Sequence, residues 1–444
     1  MRKRVKILIE NYGCELNKAE MNALTAALNG IDIETTRDTK DKDLDGVIIN
    51  TCSVRGSAEE RVYGRIGYWN GIKKKNKKFM LIITGCMADR LGDDLKKQYK
   101  GITAVVKNND KLSIPLLIKE NSFDSETSHE TYTFAKYYAA KGDLNAYIPI
   151  MNGCNNFCSY CIVPYVRGRE VSRCKDDIIN EVMHQDKLGA HLITLLGQNV
   201  NSYAYKDENG VKTDFNTLVK LIDALPLKNI KSIRFESPHP KDFSTELITT
   251  IKNSKHFSHH FHIPVQSGST RILELMNRRY TREEVIGLFK RIKEAIPDAT
   301  FSMDLMVGFP TETKQEFNET LILVKEVNPL DAFMYYWNKR EGTKAAEMTV
   351  GVIAESQRIE RLETLIAFQR ANALHIKRDR IGMERLVIVQ KASRDNPNEM
   401  LGFDINTLEG VVFEAKNLKV GTLLKVRLDS IVGSTYKATI LEEL

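Results

Sequence analysis

Three cysteines stand close together in the chain, at Cys154, Cys158 and Cys161, with the spacing C-x3-C-x2-C. They follow a short apolar run, residues 146–150, that predicts a strand, so the thiols are expected on the loop after it. Three thiolates on a short loop suit three irons of a cubane iron–sulfur cluster and leave the fourth iron open for a ligand. Zinc is the alternative metal, but structural zinc takes four ligands, usually from paired C-x2-C units, and no second pair lies nearby. Incidental core cysteines are the third interpretation.

Three further cysteines, Cys14, Cys52 and Cys86, each come one to a few residues after an apolar run in the first quarter of the chain. Because the carboxyl ends of parallel strands meet along one edge of a sheet, thiols far apart in sequence are expected to lie close together there. The seventh cysteine, Cys174, belongs to neither set and is interpreted as a spectator thiol.

The elements around these cysteines predict an α/β protein with an added all-β module. Residues 1–118 alternate apolar runs with amphipathic segments, which indicates an open parallel sheet with helices. Residues 119–143 contain few aliphatic side chains and are predicted to be a linker. Six strand–helix units over residues 144–374 predict a partial or complete parallel barrel, and residues 377–444 predict a small β-barrel or sandwich.

Composition describes an ordinary globular protein, with 444 residues, 42% hydrophobic and 28% charged. The net charge is +7, and residues 1–120 carry 23 Lys and Arg against 16 Asp and Glu. This basic quarter, with a lysine run at residues 73–78, suits a phosphate-rich partner, although a solvated loop is the simpler interpretation of the run. Without an export signal or an apolar run of about 20 residues, we expect a cytoplasmic protein with no membrane partner and metal-binding rather than disulfide-bonded cysteines.

The cysteine loop, with the aromatic Tyr160 directly before its last cysteine, resembles the signature of the radical S-adenosylmethionine superfamily. In that superfamily the open iron chelates S-adenosylmethionine, and the reduced cluster cleaves it to a 5′-deoxyadenosyl radical. The resemblance implies a radical S-adenosylmethionine core with a TIM-like partial (β/α)6 barrel. It also implies cofactor contacts from Tyr160 and from the strand ends, namely Gly197, Gln198, Glu236, Ser237, Gln266 and Asp304.

Longer segments narrow the resemblance to the MiaB-type methylthiotransferase family. Residues 154–173, 195–203 and 262–269 are similar to segments of that family, as are the tripeptides that end in Cys14, Cys52 and Cys86. The similarity spans essentially the whole chain and includes a C-terminal TRAM domain, which family members use to grip RNA. One departure is Trp337-Asn338, where the family has a Tyr-Ser-type segment, and another is Glu15-Leu16, where it has Gln-Met.

The resemblance implies an enzyme that converts N6-isopentenyladenosine beside the tRNA anticodon to its 2-methylthio derivative. It implies two 4Fe–4S clusters, with Cys14, Cys52 and Cys86 holding the second one and its extra sulfide. One S-adenosylmethionine methylates that sulfur, and a second yields the radical that removes the C2 hydrogen of adenine. Acid–base chemistry cannot break that bond at neutral pH, so a cofactor has to carry the step. The two cysteine sets must then face one another at the barrel mouth.

Partners follow from the same resemblance: an isopentenylated tRNA, a small-protein reductant such as flavodoxin or ferredoxin, and a monomeric chain. Because the target base must leave its stack, aromatic side chains are needed to receive it, and the candidates are Tyr165, Tyr203, Phe235 and Trp337. Arg167 and Arg173 are candidates for phosphate contacts.

Three alternatives remain open. The nearest is a related methylthiotransferase that acts on threonylcarbamoyladenosine in tRNA or on a ribosomal-protein aspartate. A non-catalytic RNA-binding protein with structural clusters and a plain electron carrier are the others. The first predicts methylthiolation of a different acceptor. The second predicts intact RNA binding without cleavage of S-adenosylmethionine, and the third would not need a C-terminal domain that grips RNA.

Overall fold

The computed structural model describes residues 4–53, 56–123, 129–394, 396–415 and 418–444. In the first part of the chain, five strands pair in parallel in the order β2-β1-β3-β4-β5. The strands are β1 (Lys6–Asn11), β2 (Glu34–Thr36), β3 (Gly46–Thr51), β4 (Met80–Gly85) and β5 (Ala104–Val106). The helices are α1 (Glu15–Gly30), α2 (Gly56–Lys75), α3 (Cys86–Leu91), α4 (Asp93–Gln98) and α5 (Ile114–Glu120).

Both faces of this sheet are covered, which explains the unbroken apolar runs of its central strands. Ile7 and Ile48 pack with α1 on one face, whereas Leu8 and Ile49 pack with α2 and its Trp69 on the other. The predicted open parallel sheet is confirmed, and the cysteines follow its carboxyl edge.

The central part of the chain forms a six-stranded partial barrel. Its strands and the short strands between them are β6 (Ala146–Pro149), β7 (Met151–Asn152), β8 (Val171–Ser172), β9 (Leu192–Leu196), β10 (Ala204–Lys206), β11 (Lys212–Asp214), β12 (Ser232–Phe235), β13 (His260–Gln266), β14 (Thr300–Val307) and β15 (Asp331–Tyr336). Strands β6-β9-β12 and β13-β14-β15 pair in parallel as two halves, and a bridge from Ile233 to Phe257 joins them. Strands β6 and β15 are the open edges.

Helices cover the outside of the barrel. They are α6 (Val163–Arg167), α7 (Lys175–Lys187), α8 (Phe215–Asp223), α9 (Thr245–Lys252), α10 (Thr270–Leu275), α11 (Arg282–Ala295), α12 (Lys314–Val327) and α13 (Glu355–Asp379). Phe301, Met303 and Leu305 of β14 lie in the core beneath them. The alternate residues Ser302 and Asp304 face the lumen, because successive side chains of a strand point to opposite faces.

A closed barrel of five strands ends the chain, in the order β16-β17-β18-β20-β19. Its strands are β16 (Glu384–Ala392), β17 (Glu399–Asp404), β18 (Gly410–Glu414), β19 (Leu423–Val432) and β20 (Thr435–Glu443). Of the predicted alternatives, barrel or sandwich, the structure has the barrel.

The loop between β17 and β18 closes the amino end of the large barrel. The backbone oxygen of Asn406 accepts hydrogen bonds from Arg234 Nη1 at 2.7 Å and Ser258 Oγ at 3.3 Å. Its side-chain oxygen accepts one from Ser232 Oγ at 3.0 Å. The small barrel is therefore docked at the end of the large barrel that lies opposite the cysteine loop.

Residues 129–143 of the predicted linker contain no helix or strand but are packed against both neighbouring parts of the chain. Tyr132 donates to Glu20 of α1 at 3.0 Å, and the backbone oxygen of Lys136 accepts from Arg173 at 2.8 Å. Residues 124–128 of the predicted linker lie outside the described residues. Among the helices of the described ranges, none combines the length and apolarity needed to cross a bilayer.

Candidate functional site

Cys14, Cys52 and Cys86 meet at the carboxyl edge of the first sheet. Cys14 directly precedes α1, Cys52 directly follows β3, and Cys86 is the first residue of α3. Burial raises the pKa of Cys86 to about 11, with the neighbouring Cys52 and Cys14 thiols adding to the increase. This mutual effect places the three thiols in one neighbourhood, as the sheet topology predicted.

Polar side chains tie this edge together. Thr51 Oγ1 donates to the Thr84 backbone oxygen at 2.7 Å and accepts from Met87 N at 3.0 Å. Gly85 has a φ of 92°, and a Cβ there would lie 2.5 Å from the Thr51 backbone oxygen. Only glycine fits this turn, which directs Cys86 towards its two partners.

The second set of thiols lies on the loop between β7 and α6. Cys154 and Cys158 are buried and Cys161 is half-buried. Gly153 has a φ of 80°, and a Cβ there would lie 2.1 Å from the Arg169 backbone oxygen. Burial raises the pKa of Cys154 to about 11, with Cys158 contributing, and the pKa of Cys161 to about 12, with Cys158 and Cys154 contributing. These thiols therefore also converge.

Within the described ranges, no three Cys, His, Asp or Glu side chains converge closely enough to ligate one metal ion. A cubane cluster does not need such convergence, because each thiolate binds a different iron. The donor set, two groups of three cysteines in two neighbourhoods, therefore fits two such clusters, each with one iron left without a protein ligand.

The first set of thiols reaches the segment that follows the second set. Cys86 packs against Ile162 and Val166, which directly follow the C-x3-C-x2-C loop, and α3 lies on α6. Cys86 therefore lies beside the segment that follows the cysteine loop, and the requirement that both sets turn towards the barrel mouth stays a prediction.

A buried ionic network holds this boundary. Arg167, at the end of α6, donates to Glu20 Oε1 at 2.7 Å and to Asn17 Oδ1 at 2.6 Å, both on α1. Lys111 is the second cation on Glu20. Although burial raises the pKa of Glu20, Arg167 and Lys111 lower it to about 2.

Two buried ion pairs contradict the predicted phosphate contacts of Arg167 and Arg173. Arg167 is buried against Glu20, and the Arg173 side chain is fully buried with Glu181 at 2.6 Å. Neither guanidinium can reach RNA. The sequence could not show this, because nothing local distinguishes an arginine that pairs with a distant carboxylate from one on the surface.

The predicted cofactor residues lie around the barrel mouth. Gly197 and Gln198 follow β9, Glu236 and Ser237 follow β12, Gln266 ends β13, and Asp304 lies in β14. Ser237 and Gln266 have φ values of 61° and 84°. Such backbone strain, at about 1–3 kcal/mol each, is typical of ligand-binding positions.

Two buried polar atoms at this mouth have no hydrogen-bond partner within the part of the chain that the structure describes. They are Gln198 Oε1 and His239 Nε2. Since buried polar atoms are almost always paired, a ligand with hydrogen-bonding groups fits here. Amino, carboxylate and ribose groups of S-adenosylmethionine have that chemistry.

His262 begins one of the segments that resemble the methylthiotransferase family, but no role was predicted for it. Its Nε2 lies 3.5 Å from Asp304 Oδ2 and its Nδ1 3.0 Å from Ser302 Oγ. Burial lowers the pKa of His262, but Asp304 and Glu236 outweigh that effect and raise it. Burial also raises the pKa of Glu236. Carboxylates and an imidazole thus share the lumen.

The stacking candidates are mostly wrong. Tyr203, Phe235 and Trp337 are buried in apolar cores, and Tyr165 alone of the four is exposed. Sequence reasoning missed two aromatic residues of the edge strand β15, Phe333 and Tyr335, whose side chains are 49% and 37% exposed. Phe333 pairs in register with Asp304 and its ring lies 5.5 Å from His262. The alternation of β15, with Ala332 in the core, was the available signal.

Trp337, which departs from the family's pattern, belongs to one apolar cluster with Tyr160, Met276 and Phe309. Trp337 thus packs behind Tyr160, next to the cysteine loop, whereas Asn338 is exposed. The substitution of a large aromatic residue at position 337 is accommodated by packing.

The lysine run lies far from the thiols. Lys73, Lys74 and Lys75 end α2, whose first turn is near Cys52. A helix of 20 residues spans roughly 30 Å, so the run sits at the opposite, amino edge of the sheet. It cannot contact the same nucleotide as the cysteine sites.

A parallel partial barrel with a C-x3-C-x2-C loop at its mouth defines a protein of the radical S-adenosylmethionine class. The Radical SAM superfamily matches residues 148–324, and the "Uncharacterized protein family UPF0004" matches residues 6–107. Among solved structures, the radical S-adenosylmethionine methyltransferase TsrM from Kitasatospora setae has a TM-score of 0.55 at 13% identity, covering 78% of this chain and 77% of that one. The enzyme OxsB has a TM-score of 0.51 at 10% identity, covering 91% and 64%.

Proteins found by sequence comparison have higher sequence identity to this chain than these solved structures. A tRNA-2-methylthio-N(6)-dimethylallyladenosine synthase of Treponema pallidum is 39% identical, over 98% of both chains. The Bacillus cereus protein of the same name is 35% identical, over 99% of this chain and 86% of its own. The chain therefore belongs to the tRNA-2-methylthio-N(6)-dimethylallyladenosine synthase family.

Proposed function

We propose that this protein places a methylthio group on C2 of N6-isopentenyladenosine next to the anticodon of tRNA, using two 4Fe–4S clusters and S-adenosylmethionine. The observation that supports the proposal is the packing of Cys86 against Ile162 and Val166, next to the loop that carries Cys154, Cys158 and Cys161. The names of the relatives supply the substrate.

In this proposal Cys154, Cys158 and Cys161 hold one cluster and Cys14, Cys52 and Cys86 hold the other. When bound, the clusters and S-adenosylmethionine supply a carbon radical, which can remove an aromatic hydrogen, and a sulfur donor. The chain itself binds, orients and excludes water. Gln198, Glu236, Ser237, Gln266 and Asp304 contact S-adenosylmethionine, and Tyr160 and Gly197 shape the space beside it.

The RNA approaches the same mouth. Lys18 and Arg169 are exposed there, each beside an aromatic ring: Lys18 Nζ lies 5.2 Å from the Tyr147 ring, and the Arg169 guanidinium lies 4.3 Å from Phe157. Together with the exposed Tyr165 they offer charge and stacking surface to a single-stranded loop. The lysine run contacts more distant phosphates of the same tRNA.

We further propose a monomeric chain that acts in the cytoplasm and receives electrons from a flavodoxin or ferredoxin. The flanking small barrel is proposed to contact the tRNA outside the anticodon loop, since it is docked at the end of the large barrel away from the cysteines.

The test is a reconstitution under anaerobic conditions with isopentenylated anticodon stem-loop RNA, S-adenosylmethionine and a reductant, followed by mass spectrometry of the nucleosides. We expect the 2-methylthio nucleoside and about eight irons per chain. Modification of threonylcarbamoyladenosine or of a ribosomal-protein aspartate instead would favour the related enzyme. About four irons per chain would remove the second cluster from the scheme.

A matched pair of variants separates the two clusters. Cys52→Ala is expected to keep cleavage of S-adenosylmethionine but to abolish the methylthio product. Cys158→Ala is expected to abolish both. If Cys52→Ala lost cleavage of S-adenosylmethionine, the radical chemistry could not be assigned to the Cys154, Cys158 and Cys161 loop alone.

A further inference from the structure

The turn between α10 and α11 wraps the loop that carries Cys154, Cys158 and Cys161. Ser159 N donates to the Met276 backbone oxygen at 3.0 Å, and Ser159 Oγ donates to that of Leu275 at 2.7 Å. Asn277 Nδ2 donates to the backbone oxygens of Asn156 at 3.1 Å and Phe157 at 2.9 Å. This turn therefore fixes the loop from a distant part of the chain.

One residue of the turn reaches a cysteine sulfur. Arg278 is buried, and its Nη1 donates to Cys158 Sγ at 3.2 Å. Its other two nitrogens donate as well, since Nη2 donates to the Pro264 backbone oxygen at 2.6 Å and Nε to Tyr280 Oη at 2.7 Å. Tyr280 in turn donates to the Val265 backbone oxygen at 2.7 Å. A guanidinium whose three nitrogens all donate hydrogen bonds is held in one orientation. Its positive charge and one N–H group then point at the Cys158 sulfur.

We propose that Arg278 is a positioning residue that sets the reduction potential of the cluster on Cys154, Cys158 and Cys161. The inference rests on the proposed function in one respect, namely that these cysteines hold a cluster.

The physical reason is the charge that the cluster gains on reduction. One added electron makes the cluster more negative, and a buried cation that donates a hydrogen bond to a ligand sulfur stabilises that state more than the oxidised one. Because the contact is buried, it is little screened by solvent. Arg278 therefore raises the potential and eases reduction of the cluster.

The same contact explains why arginine rather than lysine stands here. Lysine offers one point charge, whereas the three hydrogen bonds donated by Arg278 need a planar fork. Sequence reasoning had no signal for this role, because Arg278 lies 120 positions from Cys158.

The experiment is a redox titration of the full-length chain, followed by electron paramagnetic resonance of the reduced cluster. The titration uses a chain in which Cys14, Cys52 and Cys86 are replaced by alanine, so that only the cluster on Cys154, Cys158 and Cys161 is observed. Arg278→Met removes the charge and the donor. Arg278→Gln removes the charge but keeps an amide donor for the Pro264 oxygen. Arg279→Lys, an exposed neighbour, is the matched control.

We expect the ratio of reduced to oxidised cluster at a fixed potential to fall at least about tenfold in both Arg278 variants, which corresponds to a shift of about 59 mV for a one-electron couple. Arg279→Lys should match the parent. Iron content and thermal unfolding are measured in parallel, since a merely structural role would change these and leave the potential of the loaded cluster unaltered.

The proposal is overturned if an Arg278 variant binds its cluster and the reduction potential of that cluster is unchanged. Should Arg278→Met fail to load, Arg278→Gln decides alone, and should neither load, the residue is structural and the proposal is again overturned. A parent chain that binds no iron at these cysteines would instead refute the proposed function, so the two failures are distinguishable.

Discussion

The seven cysteines of the chain differ in their surroundings rather than in their chemistry. Six converge in two sets, whereas Cys174 directly precedes α7 and lies beside tyrosines. A hydrogen bond to Cys174 is the main reason that the pKa of Tyr205 is raised to about 12. Nothing about this thiol suits a cluster ligand.

Cys174→Ala is therefore expected to keep the iron content and the methylthio product of the parent. Iron analysis and nucleoside mass spectrometry of the variant provide the check, with Cys158→Ala as the contrasting variant. A loss of about half the iron in Cys174→Ala would show that this thiol, too, serves a cluster.

Phe333→Ala is expected to weaken binding of isopentenylated stem-loop RNA. The ring is half exposed on the lumen face, next to His262 and Asp304, and a base stacked on an aromatic ring contributes about 1–3 kcal/mol. The Kd for the RNA should rise accordingly, while cleavage of S-adenosylmethionine without RNA stays at the parent rate.

Tyr68→Ala is the control, because that ring is 54% exposed on α2 and far from the lumen. Equal affinities for the RNA in the parent and in Phe333→Ala would mean that the base stacks elsewhere.

At the level of elements, α1 and α6 are joined by charge rather than by apolar packing alone. Glu20 of α1 accepts from Arg167 of α6 and from Lys111, and all three side chains are nearly inaccessible to solvent. Replacing the carboxylate leaves two buried cations without their partner. Such a loss costs about 3–5 kcal/mol.

Glu20→Gln should therefore lower the free energy of unfolding at pH 7 by an amount of that order. The pKa of Glu20 is about 2 in the folded chain, against an ordinary value of 4.5. Its contribution to stability is therefore complete above that ordinary value and is lost as the pH falls towards 2. The difference in stability between parent and variant should shrink over this range.

Urea unfolding at pH 7 and at pH 3 measures both effects. Glu60→Gln, an exposed carboxylate on α2, serves as the control and should change little at either pH. A difference that grows on acidification would contradict the assigned role of Glu20.

At the scale of the whole molecule, the small C-terminal barrel packs against the large barrel and is expected to contribute to its stability. Ile405 packs with Leu192 of β9 as well as with Ile388 and Leu423 of its own barrel, and the Asn406 backbone oxygen accepts a hydrogen bond from Arg234 Nη1 of β12.

Ile405→Ala is accordingly expected to cost about 2–5 kcal/mol and to lower the temperature of a single unfolding transition that includes the large barrel. Calorimetry of the full chain detects this, and Val432→Ala, at a side chain 66% exposed, is the control. Two separate transitions, of which one alone moves, would show that the small barrel folds independently.

Much of the site could be predicted from the sequence because it depends on local patterns. An apolar run that ends in a cysteine predicts a thiol at the carboxyl edge of a parallel sheet, and this holds at Cys14, Cys52 and Cys86. Strand ends likewise placed Gln198 and Glu236 around one mouth, whereas Asp304, also predicted at a strand end, lies inside β14. Strand direction alone sets which end of a parallel sheet these residues occupy.

Whether each arginine and aromatic side chain is buried, paired or exposed depends on the tertiary structure. Arg167 pairs with Glu20, 147 positions away, and Arg278 reaches Cys158 across 120 positions. Whether such a side chain faces solvent, a carboxylate or a sulfur depends on which distant elements pack together. The sequence thus determined the sheet edge and the loop on which the six cysteines lie, whereas long-range packing determined the charges that surround them.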